Sequence, residues 1–510
     1  MPAFADAADQ PQWGRAWSRN MVSDETGLPD TFDPGTGRNV KWVAELGSQS
    51  YASPVVSGGR VLIGTNNDNP RDPRHRGDRA VLLCLDESDG RLLWQLVVPK
   101  LSEDLGDPYL DWRRVGFASP PTVEGIRAYT LTNRGEVVCL DMNGMADGNA
   151  GPFADEGAHM TLRAAATQPI APAANDADIV WVCDLVQRAG VRTHDQVQGS
   201  VLVHGDLLYV NSCNGVDGTH RAIPSPDAPS LVVLDKRTGR IVARDSLRLG
   251  PNTFHVNWSA PSLGGGDGVD PRVFFGGGDG VCYAFEPFKG ASPADEKPAQ
   301  LKDVWRFDPD PAAPKQDVHR WVGNRREGPS VIMGMPVALG GRVYLTAGGD
   351  PWWGKQRAWL KCIDAAGSGD VTRTAEVWSY PLPRETCSTA AVYDGMVFVT
   401  DVGGHLHCVD AATGKPHWTH KAVGEFWASP LVADGKVYAG TRRGQFVVLA
   451  AAPEKRLIAK VDLDEPVHGT AIAANGVLYV PTMNHLYAVR RERDGERSAG
   501  GPVPSTTFHN

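Results

Sequence analysis

Short apolar runs along the chain are broken every few residues by Gly, Asp or Asn, the pattern of β-strands joined by tight turns. One phrase recurs: a small-residue strand, a turn ending in Gly, Val or Leu before Tyr, an apolar strand ending in Asp, then Gly-x-x-x-Trp. Its clearest copy runs from Thr386 to Trp418, through Asp394-Gly395, Asp410 and Thr413-Gly414. Upstream copies begin at Ala52, Ala118, Gly199, Ser259 and Gly334, and downstream copies at Ala428 and Gly469. Eight copies result. The last three turn glycines, Gly395, Gly435 and Gly476, are 40 and then 41 residues apart, a propeller period.

A four-stranded unit of this kind cannot bury its own faces, so the copies must stack as blades around an axis. The eighth copy ends at Leu486-Tyr487-Ala488-Val489 without an outer Trp strand, whereas Asn39–Glu45 is such a strand without a blade. This predicts an eight-bladed, all-β propeller of four-stranded antiparallel blades. The N-terminal strand completes the last blade and leaves no open sheet edge. The expected organisation is an N-terminal extension over residues 1–38 packing on the propeller, the propeller over 39–490, and a flexible tail over 491–510.

Composition narrows the function classes. With 57 Gly and 38 Pro the chain suits many short strands and is too ordered in pattern for disorder. A net charge of −9 supplies no cationic face, so no nucleic-acid partner is expected. No apolar stretch is long enough for a transmembrane helix. The opening run Ala3-Phe4-Ala5-Asp6-Ala7 looks like the end of a cleavage region or an ordinary flexible cytoplasmic terminus. The protein is expected as a monomer. Cys84, Cys139, Cys362 and Cys408 each stand two residues before an Asp, with Cys282 in the corresponding strand; these read as small packing residues, not disulfide partners.

Asp410-Ala-Ala-Thr-Gly-Lys-Pro-His-Trp418 resembles the tryptophan-docking repeat of the quinoprotein alcohol dehydrogenase-like (PQQ-like) propeller family, with looser copies at Asp86–Trp94 and Asp235–Gly239. The resemblance covers residues 39 to 490. It implies that Trp42, Trp94, Trp181, Trp305, Trp378 and Trp418 pack between blades, and it is the chief ground for expecting a periplasmic or secreted protein. Quinone-dependent members also carry vicinal cysteines, an Asp beside calcium and a flat Trp platform. Here no two Cys are adjacent, so a PQQ-dependent dehydrogenase with PQQ and calcium is an alternative reading, with Trp258 or Trp427 as platform and Asp195 or Glu385 as acid/base or calcium ligand. A second alternative resembles the outer-membrane assembly scaffold BamB, whose class is tethered through an N-terminal lipidated Cys; the first Cys here is Cys84.

Turns between first and second strands are short throughout, whereas long segments fall at 66–79, 101–114, 212–229, 308–329 and 348–357. In an up-down blade these connections emerge on one face, where function concentrates. The innermost strands begin on that face. Two residues before each repeat's Ser-Pro position stand Tyr51, Phe117, Gln198, Trp258, Met333, Cys387, Trp427 and His468, which alternation should aim at the axis. Gln49, Gln196, Asn257, Glu385 and Glu425 lie just above them, with Asp195, His255, Arg326 and Arg384 at loop ends. An aromatic cup with few polar groups is a small-molecule pocket by type.

The leading reading is therefore a propeller binding, and in one form transforming, a small organic or saccharide ligand in the axial cup. Tyr51, Phe117, Gln198, Trp258, Trp427, Gln49, Glu425 and Arg384 are the expected ligand contacts. His468 and His255 are the expected proton-transfer groups, with Glu385 and Arg326 positioning charge. Trp352, Trp353 and Trp359 could stack on pyranose faces while Arg325, Arg326, Arg357, Arg442 and Arg443 grip an acidic sugar. No metal ligands are assigned. His405 and His407 share a strand face but read as a surface pair, Gly276–Gly280 as a hairpin turn, and Ser212–His220 lacks the Glu of a calcium loop.

Overall fold

The computed structural model describes residues 8–165, 167–266, 269–290 and 297–492. Eight sheets are built from consecutive hairpins. Their inner strands, blades one to eight, are Val55–Ser57, Thr122–Glu124, Leu202–His204, Ser262–Gly266, Val337–Leu339, Ala391–Tyr393, Leu431–Ala433 and Ile472–Ala474. Val40–Glu45 pairs antiparallel with His485–Val489, Trp42 standing opposite Ala488, and this completes blade eight. Blades three and four each gain a short fifth strand, Ala299–Gln300 and Gly369–Asp370, paired in parallel.

Middle strands such as Arg79–Asp86 are apolar on both faces because each blade is covered by two neighbours. The core is accordingly a ring of interblade clusters. Val55, Leu62 and Leu82 of blade one, for example, pack with Val123, Ala128 and Val138 of blade two.

The repeat tryptophans join neighbouring blades. Trp94 Nε1 donates to the Met142 carbonyl at 2.9 Å, Trp181 to Lys236 at 3.1 Å, and Trp305 to Ala365 at 3.0 Å. Trp378, Trp418 and Trp42 reach Ala411, Ala452 and Glu87 in the same way. The docking surface must be flat: a Cβ on Gly414 (φ +68°) would lie 2.6 Å from the Trp378 ring, so both conformation and space demand glycine there. Within each blade the indole faces a small residue. Cys84, Cys139, Cys362 and Cys408 stand opposite Trp94, Trp181, Trp378 and Trp418. In blade four Ala284, not Cys282, occupies that place opposite Trp305. All eight thiols are unpaired. Burial pushes the Cys84 thiol up to about 12, so it packs as an inert hydrophobe.

Residues 8–23 form a strap across the ends of the inner strands, touching all eight blades. Backbone hydrogen bonds join Gln10 to Val56, Pro11 to Val123, Trp17 to Leu263, Ser18 to Ala338 and Met21 to Val432. Side chains add Trp17 to Val203, Asn20 to Val392 and Ser23 to Ala473. Arg19, with no exposed surface, is the centre of the strap and donates to the carbonyls of Pro261, Trp13 and Ser200 and to Ser200 Oγ. The expected C-terminal tail lies largely outside the described residues; Arg491 and Glu492 reach Leu28 and Asn39.

The elaboration is less one-sided than the loop lengths predict. Residues 142–177, joining the third and fourth strands of blade two, leave from the strap side. They climb the outside of the blade, where Asp176 bridges Gln95 of blade one's outer strand and His159 meets Glu136 at 2.9 Å. The excursion covers an otherwise exposed strand edge.

Candidate functional site

The inner-strand entries and three inserted segments enclose a cavity of about 620 Å³. Seven of the eight expected ring positions line it: Tyr51, Gln198, Trp258, Met333, Cys387, Trp427 and His468. Tyr109 and Trp112 enter from the 101–114 segment, His220 from 212–229, and Trp352 and Trp353 from 348–357. Trp13 of the strap lines it from the opposite side, so the strap floors the cup. The indoles and rings meet edge to face: Trp258 with Trp352 at 5.5 Å, Trp352 with Trp427 at 4.8 Å, and Tyr51 with His468 at 5.1 Å between centroids.

Phe117 departs from the expectation. Its amide donates to the Thr65 carbonyl, which draws the entry of blade two against blade one and buries the ring in the interblade core. Val115 takes its place in the wall. Gln49 is not a wall residue but accepts from Tyr51 Oη at 3.1 Å. Glu425, at the rim, accepts from Trp427 Nε1 at 3.0 Å and Arg442 at 2.8 Å, so it orients two wall residues.

Glu385 and Arg384 pair with each other at 2.9 Å, and Arg325 reaches the same carboxylate at 2.5 Å. Glu385 is fully buried, which assigns it to holding these loops and removes it from charge positioning in the cup. Arg326 is exposed on the turn after Asn324 and lies outside the cavity wall. Of the five arginines considered for an acidic ligand, Arg442 alone lines the cup, its guanidinium 4.8 Å above the Trp427 ring. Arg357 instead stacks on Trp359.

His468 is half-buried in the wall and accepts from Arg442 Nε at 3.2 Å. Burial lowers its pKa to about 3, and the charge of Arg442 acts in the same direction. The folded pKa lies below that of a free imidazole. This contribution to stability is therefore full above about pH 6.5 and is lost as pH falls toward 3. A histidine NMR titration should show no ionisation of His468 between pH 5 and 8; a midpoint near 6.5 would contradict the buried acceptor role.

A second group, mostly unforeseen, lies beside Trp258. His194, His220 and His255 converge with centroids 4.7 to 5.3 Å apart, and Asp195 joins them. His194 Nε2 is 3.1 Å from His220 Nε2 and 3.4 Å from Asp195 Oδ2. His255 is 2% exposed; its Nδ1 is 2.9 Å from Asp350 Oδ2, while its Nε2 has no hydrogen-bond partner. Asp350 is fixed in turn by the amides of Trp352 and Trp353. Burial works to lower the pKa of His255, but Asp350 and Asp195 outweigh it and raise it to about 9. Burial takes His194 down to about 3 against the pull of Asp195. Asp195 and His220 both adopt left-handed backbone (φ +56° and +57°), a strained conformation that concentrates at functional sites.

The minor motifs resolve differently. Asp401 contacts His405 Nδ1 at 3.0 Å and His407 Nε2 at 3.2 Å, so the two histidines are no bare surface pair; the turn after Asp401 folds it back onto their strand. His407 is 1% exposed and also meets Tyr380 Oη. Gly277 donates to Val281, closing the expected hairpin. In 212–220, Asp217 caps Thr219.

Eight hairpin blades, interblade tryptophans and a terminal strand that closes the ring define a PQQ-like repeat propeller. More particularly, the chain belongs to the family described as outer membrane protein assembly factor BamB, whose model matches residues 30–305 and 356–507. No curated protein sequence matches it. Among solved structures it is similar to a europium-containing methanol dehydrogenase (TM-score 0.59, 12% identity, 94% of this chain and 98% of that one). It is also similar to BamB from Moraxella catarrhalis (TM-score 0.50, 13% identity, covering 88% and 97%) and to the computationally designed Ika8 protein (0.50, 10%, 88% and 99%). At these identities the likeness establishes the fold alone.

The quinone and calcium implied by the family resemblance do not fit this cup. Calcium takes oxygen ligands, whereas the converging donors here are three imidazoles and one carboxylate. Trp427 carries Arg442 on its face, and Trp258 is buried edge-on against Trp352 and His255. Among the described residues, no helix is long and apolar enough to cross a membrane.

Proposed function

We propose that this is an exported ligand-binding propeller whose axial cup takes a saccharide or a cyclic organic molecule of similar size. The observation that carries it is a cavity of about 620 Å³, floored by the strap and walled by indole and phenol rings. Its volume lies within the range of small-molecule sites, and flat apolar rings with few polar partners suit the faces of pyranoses. Gln196, Gln198, Asp195 and Arg442 supply the polar contacts that would fix orientation. With Arg442 as the one arginine or lysine of the wall among the described residues, already shared with Glu425, neutral sugars should bind at least as well as uronic ones.

The test is calorimetry and thermal shift against neutral and uronic oligosaccharides. A cup ligand raises the melting temperature by mass action. Trp427→Ala should weaken it by about 30-fold, the loss typical of a central aromatic contact. A panel that produces no shift, or a shift untouched by W427A, overturns the reading.

A further inference from the structure

We propose that His194, Asp195, His220 and His255 bind a first-row divalent transition metal, with zinc as the expected occupant, in the wall of the cup. In tetrahedral zinc sites with Zn–N and Zn–O near 2.0–2.1 Å, ligand atoms stand about 3.3 Å apart. Here the separations are 3.1 Å (His194 to His220), 3.4 Å (His194 to Asp195) and 3.7 Å (His255 to Asp195). All four donor atoms lie within 4.8 Å of one another.

Two independent observations point to an ion at this place. His255 Nε2 is buried among them with no hydrogen-bond partner, a costly state for a polar atom that a metal would relieve. The opposite nitrogen is gripped by Asp350, the carboxylate–histidine arrangement that sets the tautomer and orientation of a metal-ligating imidazole. Three nitrogens and one oxygen select zinc, copper, nickel or cobalt over calcium or magnesium. Asp195 and His220 line the cavity, so the ion would face whatever occupies it. The Asp401–His405–His407 group is the weaker candidate, because it offers three donors instead of four and neither of its histidines has a buried nitrogen without a partner.

The inference extends the reading of the cup but is measured without any sugar. Full-length protein, stripped with chelator, is titrated with Zn²⁺ and with Co²⁺, then desalted and analysed by elemental mass spectrometry. About one equivalent should be retained, and Co²⁺ should show the visible absorption of a low-symmetry four-coordinate site. His220→Ala, at the less buried edge of the cluster, and His255→Ala should abolish both, and His405→Ala should leave them intact. Asp350→Asn should weaken zinc about 10- to 100-fold, the loss expected when the hydrogen-bond partner of a ligand is removed. Should H255A fail to fold, the wild-type cobalt spectrum and H220A decide. Retention below about a tenth of an equivalent by wild-type protein, or a cobalt band surviving in H220A or lost in H405A, overturns the site. Sugar binding without metal retention sinks this inference alone; metal retention without sugar binding sinks only the reading of the cup.

Discussion

Replacing Arg19 with Ala should release the strap and destabilise the protein by about 3–5 kcal/mol, the range expected when a buried charged hydrogen-bond network is broken. The guanidinium is fully buried and serves three carbonyls and a hydroxyl, drawn from the strap itself and from blades three and four. Burial lowers its pKa to about 9, so it remains a cation at neutral pH and its hydrogen bonds keep their charge-assisted strength. Part of the loss is offset because the variant no longer desolvates a charge. Arg19→Lys should rescue little, since one ammonium cannot copy a planar fork that reaches four acceptors. The measurements are the denaturant midpoint and limited proteolysis of residues 8–38. Because Trp13 floors the cup and its carbonyl is one of the four acceptors, ligand affinity should fall as well. A variant with the wild-type midpoint and a protected strap would show that the strap's other backbone and side-chain bonds to the blades suffice.

Trp94→Ala should cost about 3–5 kcal/mol, as for other fully buried large aromatics. The side chain is 1% exposed, donates to Met142 of the next blade, and covers Gly144, where a Cβ would lie 2.7 Å from the ring. Truncation leaves a cavity between blades one and two and an unsatisfied carbonyl. Trp94→Phe keeps most of the packing and loses only the donor, so about 1–2 kcal/mol is expected. In a ring of this size the first unfolding transition should be followed, and a lowered midpoint at unchanged slope identifies a stability effect. If W94A and W94F match wild type, the tryptophans are not what couples neighbouring blades.

Much of the cup was legible because alternation along the inner strands is a local rule. Tyr51, Trp258, Trp427 and His468 could be placed from the repeat alone. Phe117 escaped it because one backbone bond to Thr65 turns the entry of blade two toward its neighbour, and no pattern within residues 115–119 records that bond. Glu385 and Arg384 carry charge near the right loops, yet they pair with each other, and Arg325, the second partner of Glu385, lies some sixty positions upstream. The histidine cluster left a faint trace: His194 precedes a suspected Asp195, and His255 precedes Trp258 in the adjacent blade. Combining blade adjacency with those two positions would have brought them together, but His220 sits in an insertion with no repeat to locate it.

The amino-acid sequence by itself determined the count of blades, the closing strand and the tryptophan docking. Each depends on hairpins and contacts that span one repeat or its immediate neighbour, where alternation and turn chemistry act directly. Tertiary structure alone decided how the strap floors the cup, and how His194, His220, His255 and Asp350 meet from four separate segments. Those arrangements rest on left-handed residues in inserted loops and on hydrogen bonds between distant segments. No periodicity encodes them, because the loops take their shape from the scaffold they pack on.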